Sequence, residues 1–199
     1  MAARKGMEHL VDVLRGMTES GTADYSIGTA NYWDDDHLQY VLDNHRTDVY
    51  HEELGKVENW NGGTIRYLDY MSRYKNLEKT TGGTAIFIIE DRTGADVGTA
   101  NYSVDYFRGR ITFGADTGGS VLYLTCRSYD LDGAASEVWR NKASHAANLY
   151  DFSTDNHRFA RSQYMKHCME MANRYAQSSS SSTKTTVLLR SDVNANALD

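Results

Sequence analysis

The residues of this chain best equipped for chemistry are its seven histidines, its two cysteines and the triplet Asp34-Asp35-Asp36. His37 and His45 stand close to two helical turns apart, so a helix through both would bring them to one face. With Asp48 or Glu52 as a third ligand, the set would suit a divalent metal and a metal-activated water, the chemistry of a metal-dependent hydrolase. Neither His-Glu-x-x-His nor Cys-x-x-Cys spacing accompanies them, and histidines satisfied at the surface or the core boundary account for the pattern better. Cys168 follows His167 directly, but consecutive helix residues do not face one another, and its apolar spacing makes Cys168 a core residue. The pairs Gly62-Gly63, Gly82-Gly83 and Gly118-Gly119 are not followed by Lys-Ser/Thr opening a helix, so no phosphate loop is read. The aspartate triplet fits the start of a helix better than a cation site, because a hard divalent ion wants more oxygen ligands at set spacing. The reading is therefore not of an enzyme: no catalytic residue, metal or cofactor is assigned, and the metal-dependent hydrolase is kept as an alternative.

Composition favours assembly. Fourteen tyrosines against five phenylalanines suit surfaces that are half buried and half wet, such as subunit interfaces. A length of 199 residues with 40% hydrophobic residues allows one domain, or one domain with an insertion. A formal net charge of −6 is unsuited to tight nonspecific DNA binding, which needs Lys and Arg to neutralise phosphates, but suits a surface that DNA slides past. Cys126 and Cys168 are too few for a disulfide framework and read as buried thiols of a protein made in a reducing cytosol. The opening MAARKGMEHLVDVLRGM lacks the apolar run of a signal peptide, and no segment approaches a membrane span, so a soluble protein is expected.

The elements that would position these residues follow from periodicity. Met7, Leu10, Val13, Leu14 and Met17 predict an amphipathic helix over residues 3–17, its end bracketed by Gly16 and Gly21. A second helix starts at the aspartates, with Asp36 and Gln39 as a capping box, and carries Leu38, Val41, Leu42, His45, Val49 and Leu54 on one face as far as Gly55. Strands are predicted at 64–70, 84–90, 97–106, 110–113 and 121–127, and their close glycine turns imply an antiparallel meander. Helices return at about 132–149 and 155–177, the second with Phe159, Met165, Cys168, Ala172 and Tyr175 inward. The fold class is α+β: a helical bundle from residues 1–57 and 128–177, an inserted antiparallel β-meander at 58–127, and an extended C-terminal tail at 178–199.

Three segments carry no chemistry yet suit contact. Tyr150-Asp151-Phe152-Ser153 forms a compact joint between the last two helices. Arg158, Arg161 and Lys166 give the final helix a basic stretch, read as a solvated face or intersubunit ion pairs, and alternatively as a contact with DNA or an acidic partner. The serine run 178–182 followed by Thr185-Thr186-Val187-Leu188-Leu189 has the layout of a tethered strand able to add to a sheet edge; plain C-terminal disorder is the equal alternative.

Three stretches resemble the head-to-tail connector, or adaptor, proteins of tailed bacteriophages. They are Tyr32-Trp33-Asp34-Asp35-Asp36-His37-Leu38-Gln39 through Leu42-Asp43-Asn44-His45-Arg46-Thr47-Asp48-Val49, the middle region ending at Tyr129-Asp130-Leu131, and Ala134-Ala135 to Trp139, Lys142-Ala143, Tyr150 to Ser153 and Arg161-Ser162-Gln163. The resemblance implies a structural virion protein of the neck, between capsid and tail. It implies a homo-oligomeric ring, usually of twelve copies, that docks on the portal protein and offers a surface to the next neck or tail protein. DNA would pass through the lumen without specific binding. Portal contact in such proteins often uses an extended C-terminal segment, which implies Thr185 to Leu189 here. A head-closure or tail-completion protein of the same neck is the alternative.

Overall fold

An apolar stripe at helical spacing opens the chain, and it folds as α1 (Glu8–Thr18), burying Leu10, Val11 and Leu14 together with Met7 just ahead of it. The computed structural model describes residues 4–21, 26–27, 30–80, 86–147, 152–154, 157–159 and 161–179. Glu19, in the left-handed region at φ 50°, ends α1, whereas Gly16 lies inside the helix and does not stop it. The short strands β1 (Ser26–Ile27) and β2 (Ala30–Asn31) pair antiparallel ahead of α2 (Asp35–Asn44). The cap of α2 is Asp34, whose carboxylate accepts the His37 backbone N–H at 2.9 Å; the expected capping box from Asp36 is not the one used.

The second helix is ten residues long, and the extension expected as far as Leu54 does not form. Residues 46–53 are instead β3 (Arg46–Glu53), and β4 (Gly55–Asn61) follows at once. Arg-Thr-Asp-Val-Tyr-His contains only one strong helix former, and the step from Val49 to Leu54 is five residues, which breaks the helical stripe. The strand survives through pairing: β3 runs antiparallel to β9 (Leu122–Tyr129), with Val49 opposite Cys126. A bulge between Val49 and Glu52 puts His51 at φ 49° and stacks its ring on Tyr123, 4.0 Å between centroids.

All the strand pairings described are antiparallel. One sheet has the order β3-β9-β6, with β6 at Ile88–Asp91; the other has the order β4-β5-β8-β7, with β5 at Thr64–Met71, β7 at Tyr102–Asp105 and β8 at Arg110–Phe113. The strand expected at 84–90 begins later, at Ile88, and its first two residues lie outside the described residues. The strand expected at 97–106 is broken: a single 3₁₀ turn occupies Thr99–Asn101. Val49, Leu54, Tyr70, Leu77, Phe87, Ile89, Ile111, Phe113, Leu122, Leu124 and Cys126 form the core of the β region.

A separate helical core joins α1, α2 and α3 (Leu131–Ala147). Helix α3 is buried on more than one side, because α4 (Arg161–Ser178) packs on it as well as α1 and α2, with Tyr175 of α4 also reaching the Met17 carbonyl of α1 at 3.2 Å. That is why it is built from Gly133, Ala134, Ala135, Ser136, Ala143 and Ala146: small residues let two neighbours approach at once. Trp139 and Ala143 meet Cys168 and Ala172 of α4. The helix expected from residue 155 starts at Arg161, because β10 (Phe152–Thr154) and β11 (His157–Phe159) form an antiparallel hairpin, with Phe152 opposite Phe159. The helix also continues to Ser178, past the point where the serine linker was expected to begin.

Arg4 ties the helical and β regions together. Its Nη2 donates to Asp43 Oδ1 at 2.8 Å and to Tyr129 Oη at 3.1 Å, while its Nε donates to Glu78 Oε1 at 2.9 Å. Glu78 is fully buried and also accepts from Tyr129 Oη at 2.6 Å. The hydrogen bond to Asp43, with help from Glu78, holds the Arg4 guanidinium firmly charged. Burial first, then the bond to Glu78, pushes the Tyr129 phenol well above its usual range.

Candidate functional site

Two surfaces among the described residues have the shape and composition of contact sites. The first is the hairpin of β4 and β5. Its two-residue turn has Gly62 at φ 59° and Gly63 at φ 88°, the paired positive angles of a turn that matches strand twist and that side-chain-bearing residues resist. Strand β8 pairs with β5 only at Asp69, Tyr70 and Met71. Residues 116–117 hold the chain one step further out, where the Tyr67 backbone N–H donates to Asp116 Oδ1 at 3.0 Å. Beyond that point Trp60 pairs with Ile65 and Asn61 with Thr64, so the tip is a two-stranded ribbon reaching roughly 10 Å past its support. Trp60 is 71% exposed and Ile65 is exposed beside it.

Asp69 fixes the root of this arm. It accepts from Arg110 Nη2 at 2.9 Å, from Thr112 Oγ1 at 2.6 Å and from Asn59 Nδ2 at 3.1 Å, so one carboxylate joins β4, β5 and β8. The bond from Arg110, then that from Thr112, lowers its pKa to about 2.

The second surface is a cleft of about 500 Å³ at the start of α2, lined by Tyr32, Trp33, Asp36, His37, Tyr40 and Val41, and closed on the far side by Glu137 and Asn141 of α3. Trp33 is its buried floor, and Tyr40, 66% exposed, stands at its edge. The wall is aromatic in depth: Tyr32 stacks on His37 at 4.8 Å and meets Trp33 edge-on at 4.9 Å. His37 is held by Asp34, which takes both its backbone N–H and its Nδ1–H, the latter at 2.8 Å. Burial raises the Asp34 pKa, and these two bonds more than reverse the effect, leaving a net lowering. His45 Nε2 donates to Glu137 Oε2 at 2.8 Å and fixes the acidic side of the cleft. Gly133 makes that contact possible, since a methyl group there would lie 2.8 Å from His45 Nδ1.

The residues proposed as metal ligands do not converge. His37 turns to Asp34, His45 to Glu137, Asp48 to Arg46 and Arg127, and Glu52 to Arg73. Among the described residues no group of three His, Cys, Asp or Glu is placed to hold a metal ion. Both cysteines are buried and unlinked, and burial pushes the Cys126 thiol up to about 12.

The assembly residues fare unevenly. Tyr150 and Asp151 lie outside the described residues, while Phe152 and Ser153 belong to β10, so the joint between the helices contains a hairpin. Arg158 falls in β11, Arg161 opens α4, and Lys166 is exposed on α4 near Tyr164 and Met169, also exposed. The segment Thr185, Thr186, Val187, Leu188 and Leu189 lies outside the described residues. The strand at 64–70 was expected but its partner β4 was not, although Trp60-Asn61-Gly62-Gly63-Thr64-Ile65 is a recognisable hairpin signal, with an aromatic and a β-branched residue flanking a Gly-Gly turn. No described helix is long and apolar enough to cross a membrane. No family model matches the chain, and comparison with curated proteins and with solved structures finds no similar one.

Proposed function

We propose that the chain is a structural virion protein whose copies form a ring that joins the portal vertex to the tail and extends the DNA channel. The β4–β5 arm carries this reading. A two-stranded ribbon with a bare tryptophan at its tip is marginal in water and makes physical sense when another surface covers it. Lys166 and Met169, neighbours on the exposed side of α4, are a further contact area on the same chain. The resemblance of the α2 region and of the α3–α4 region to head-to-tail connectors points the same way. In this reading twelve copies close by repeated heterologous contacts, the portal protein lies above, the next neck or tail protein lies below, and DNA slides through an acidic protein without specific binding.

Particles made without this gene product test the proposal. They should keep their portal and package DNA but fail to join tails, seen as tailless heads in electron micrographs. Normal tail joining would overturn it.

A head-closure or tail-completion role in the same neck gains from one observation, the strand at Arg46–Glu53 where a helix was expected. Cross-linking to the portal separates the two: a connector touches the portal directly, and a protein one layer further out does not.

A further inference from the structure

We propose that the tip of the β4–β5 arm seats in the aromatic cleft of a neighbouring copy, with Trp60 entering between Tyr40 and the wall formed by Tyr32, Trp33 and His37. This rests on the ring reading and specifies its contact. The two surfaces lie on one chain and are of opposite kind, one projecting and one recessed. The projecting one does not fill its own chain's recess, since Trp60 stands in solvent. Two different surfaces that fit each other produce a head-to-tail contact, and a rotation that closes it makes a ring.

Charge argues for a second copy as the occupant. The exposed cations Lys56 and Arg66 accompany Trp60 and Ile65 on the arm, against the single acid Glu58, for a balance of +1 over residues 56–66. The cleft lining carries Asp36 and Glu137 with no Lys or Arg. Asp34 at the start of α2 adds a carboxylate beside it, whereas Asp35 is taken up by Arg15 at 2.6 Å. An indole against tyrosines with cations at an acidic rim matches the composition of contact centres, where aromatic residues and Arg dominate. Support from a neighbour would also cover the apolar tip, whose own two strands are too few to be stable alone.

The test uses full-length chain in assembled particles. A benzophenone photo-crosslinking residue replaces Trp60, and particles are assembled from a mixture of isotopically heavy and light copies. Irradiation should join position 60 of a light copy to a heavy peptide spanning residues 32–41, identified by mass spectrometry. In parallel, Trp60→Ala and Tyr40→Ala should each reduce the copies per purified particle at least tenfold. Both should leave the melting curve of the isolated chain unchanged, because both side chains are exposed. Adducts confined to another protein or another face, in particles that still contain rings, would overturn the inference and leave the ring reading standing. Particles with tails but no multimer of this chain would overturn both.

Discussion

At the scale of single residues, Asp69 makes the clearest pH prediction. Its pKa of about 2 lies below the ordinary carboxylate value of 3.8, because Arg110, Thr112 and Asn59 all donate to the charged form. A depressed folded-state pKa adds stability that is complete above about pH 4 and is lost as the pH falls through 4 towards 2. Arg110 is half exposed, so solvent screening trims the effect to about 1–2 kcal/mol. Urea unfolding of wild type and Asp69→Asn should therefore give a gap that closes between pH 4 and 2. A gap independent of pH would show that the carboxylate's charge is not what matters. Lys142 makes a different point. It is buried, its Nζ donates to the Thr18 carbonyl at 2.6 Å, and it lies 5.0 Å from the Trp139 ring centre. Lys142→Met keeps the apolar stem but strips a buried carbonyl of its donor, at a cost of about 1–3 kcal/mol in unfolding experiments. The apolar spacing of α3 places Lys142 among inward residues, and it is inward. Its carbonyl partner was not legible, since it lies on α1, far away in sequence. The same limit hid the Arg4, Asp43, Glu78 and Tyr129 network, whose members come from four separate stretches of chain.

Elements were legible where one periodicity acted alone. Strand β8 occupies the residues expected for it, β5 differs by one residue at its end, and of the α1 stripe Met7, Leu10 and Leu14 are buried while Val13 and Met17 are half-buried. The α2 region shows what sequence spacing could not decide. His45 and Val49 continue the spacing of the helix face but the five-residue step to Leu54 does not, and pairing with β9, a partner far away in sequence, makes residues 46–53 a strand. Likewise Phe152 and Phe159 pair across a hairpin, where the sequence suggested a joint and then a helix turn. The start of α2 is the element whose integrity the cleft needs, because Asp34 both caps the helix and holds His37. Asp34→Ala should lower stability by about 1 kcal/mol in thermal or urea unfolding, the usual worth of a side-chain cap. Asp34→Asn, which still accepts from the His37 N–H, should recover most of that loss. If Asn were no better than Ala, the cap would not be the source of the stability.

For the whole molecule, the open question is which parts serve the fold and which serve contacts. Residues 4–179 contain the helical core and the β core, and the last described residue already returns to the body, with Ser179 Oγ donating to Asp130. Both cores are built from residues within that span, and Thr185 to Leu189, outside the described residues, is a short β-prone run behind a serine run that suits backbone pairing with another chain. Ending the chain at Ser179 should therefore shift the melting temperature by no more than about 2 °C, below the shift expected for 1 kcal/mol in a domain of this size. The same truncation should abolish cross-links to the portal, while rings held by the arm and the cleft still assemble. In the proposed ring, tails acting together would make this loss far larger than the affinity of one segment, because each bound tail raises the effective concentration of the next. Tail joining at the wild-type level by the truncated protein would assign portal contact to the folded body, and the side of α4 that exposes Lys166 and Met169 would be the face to mutate next.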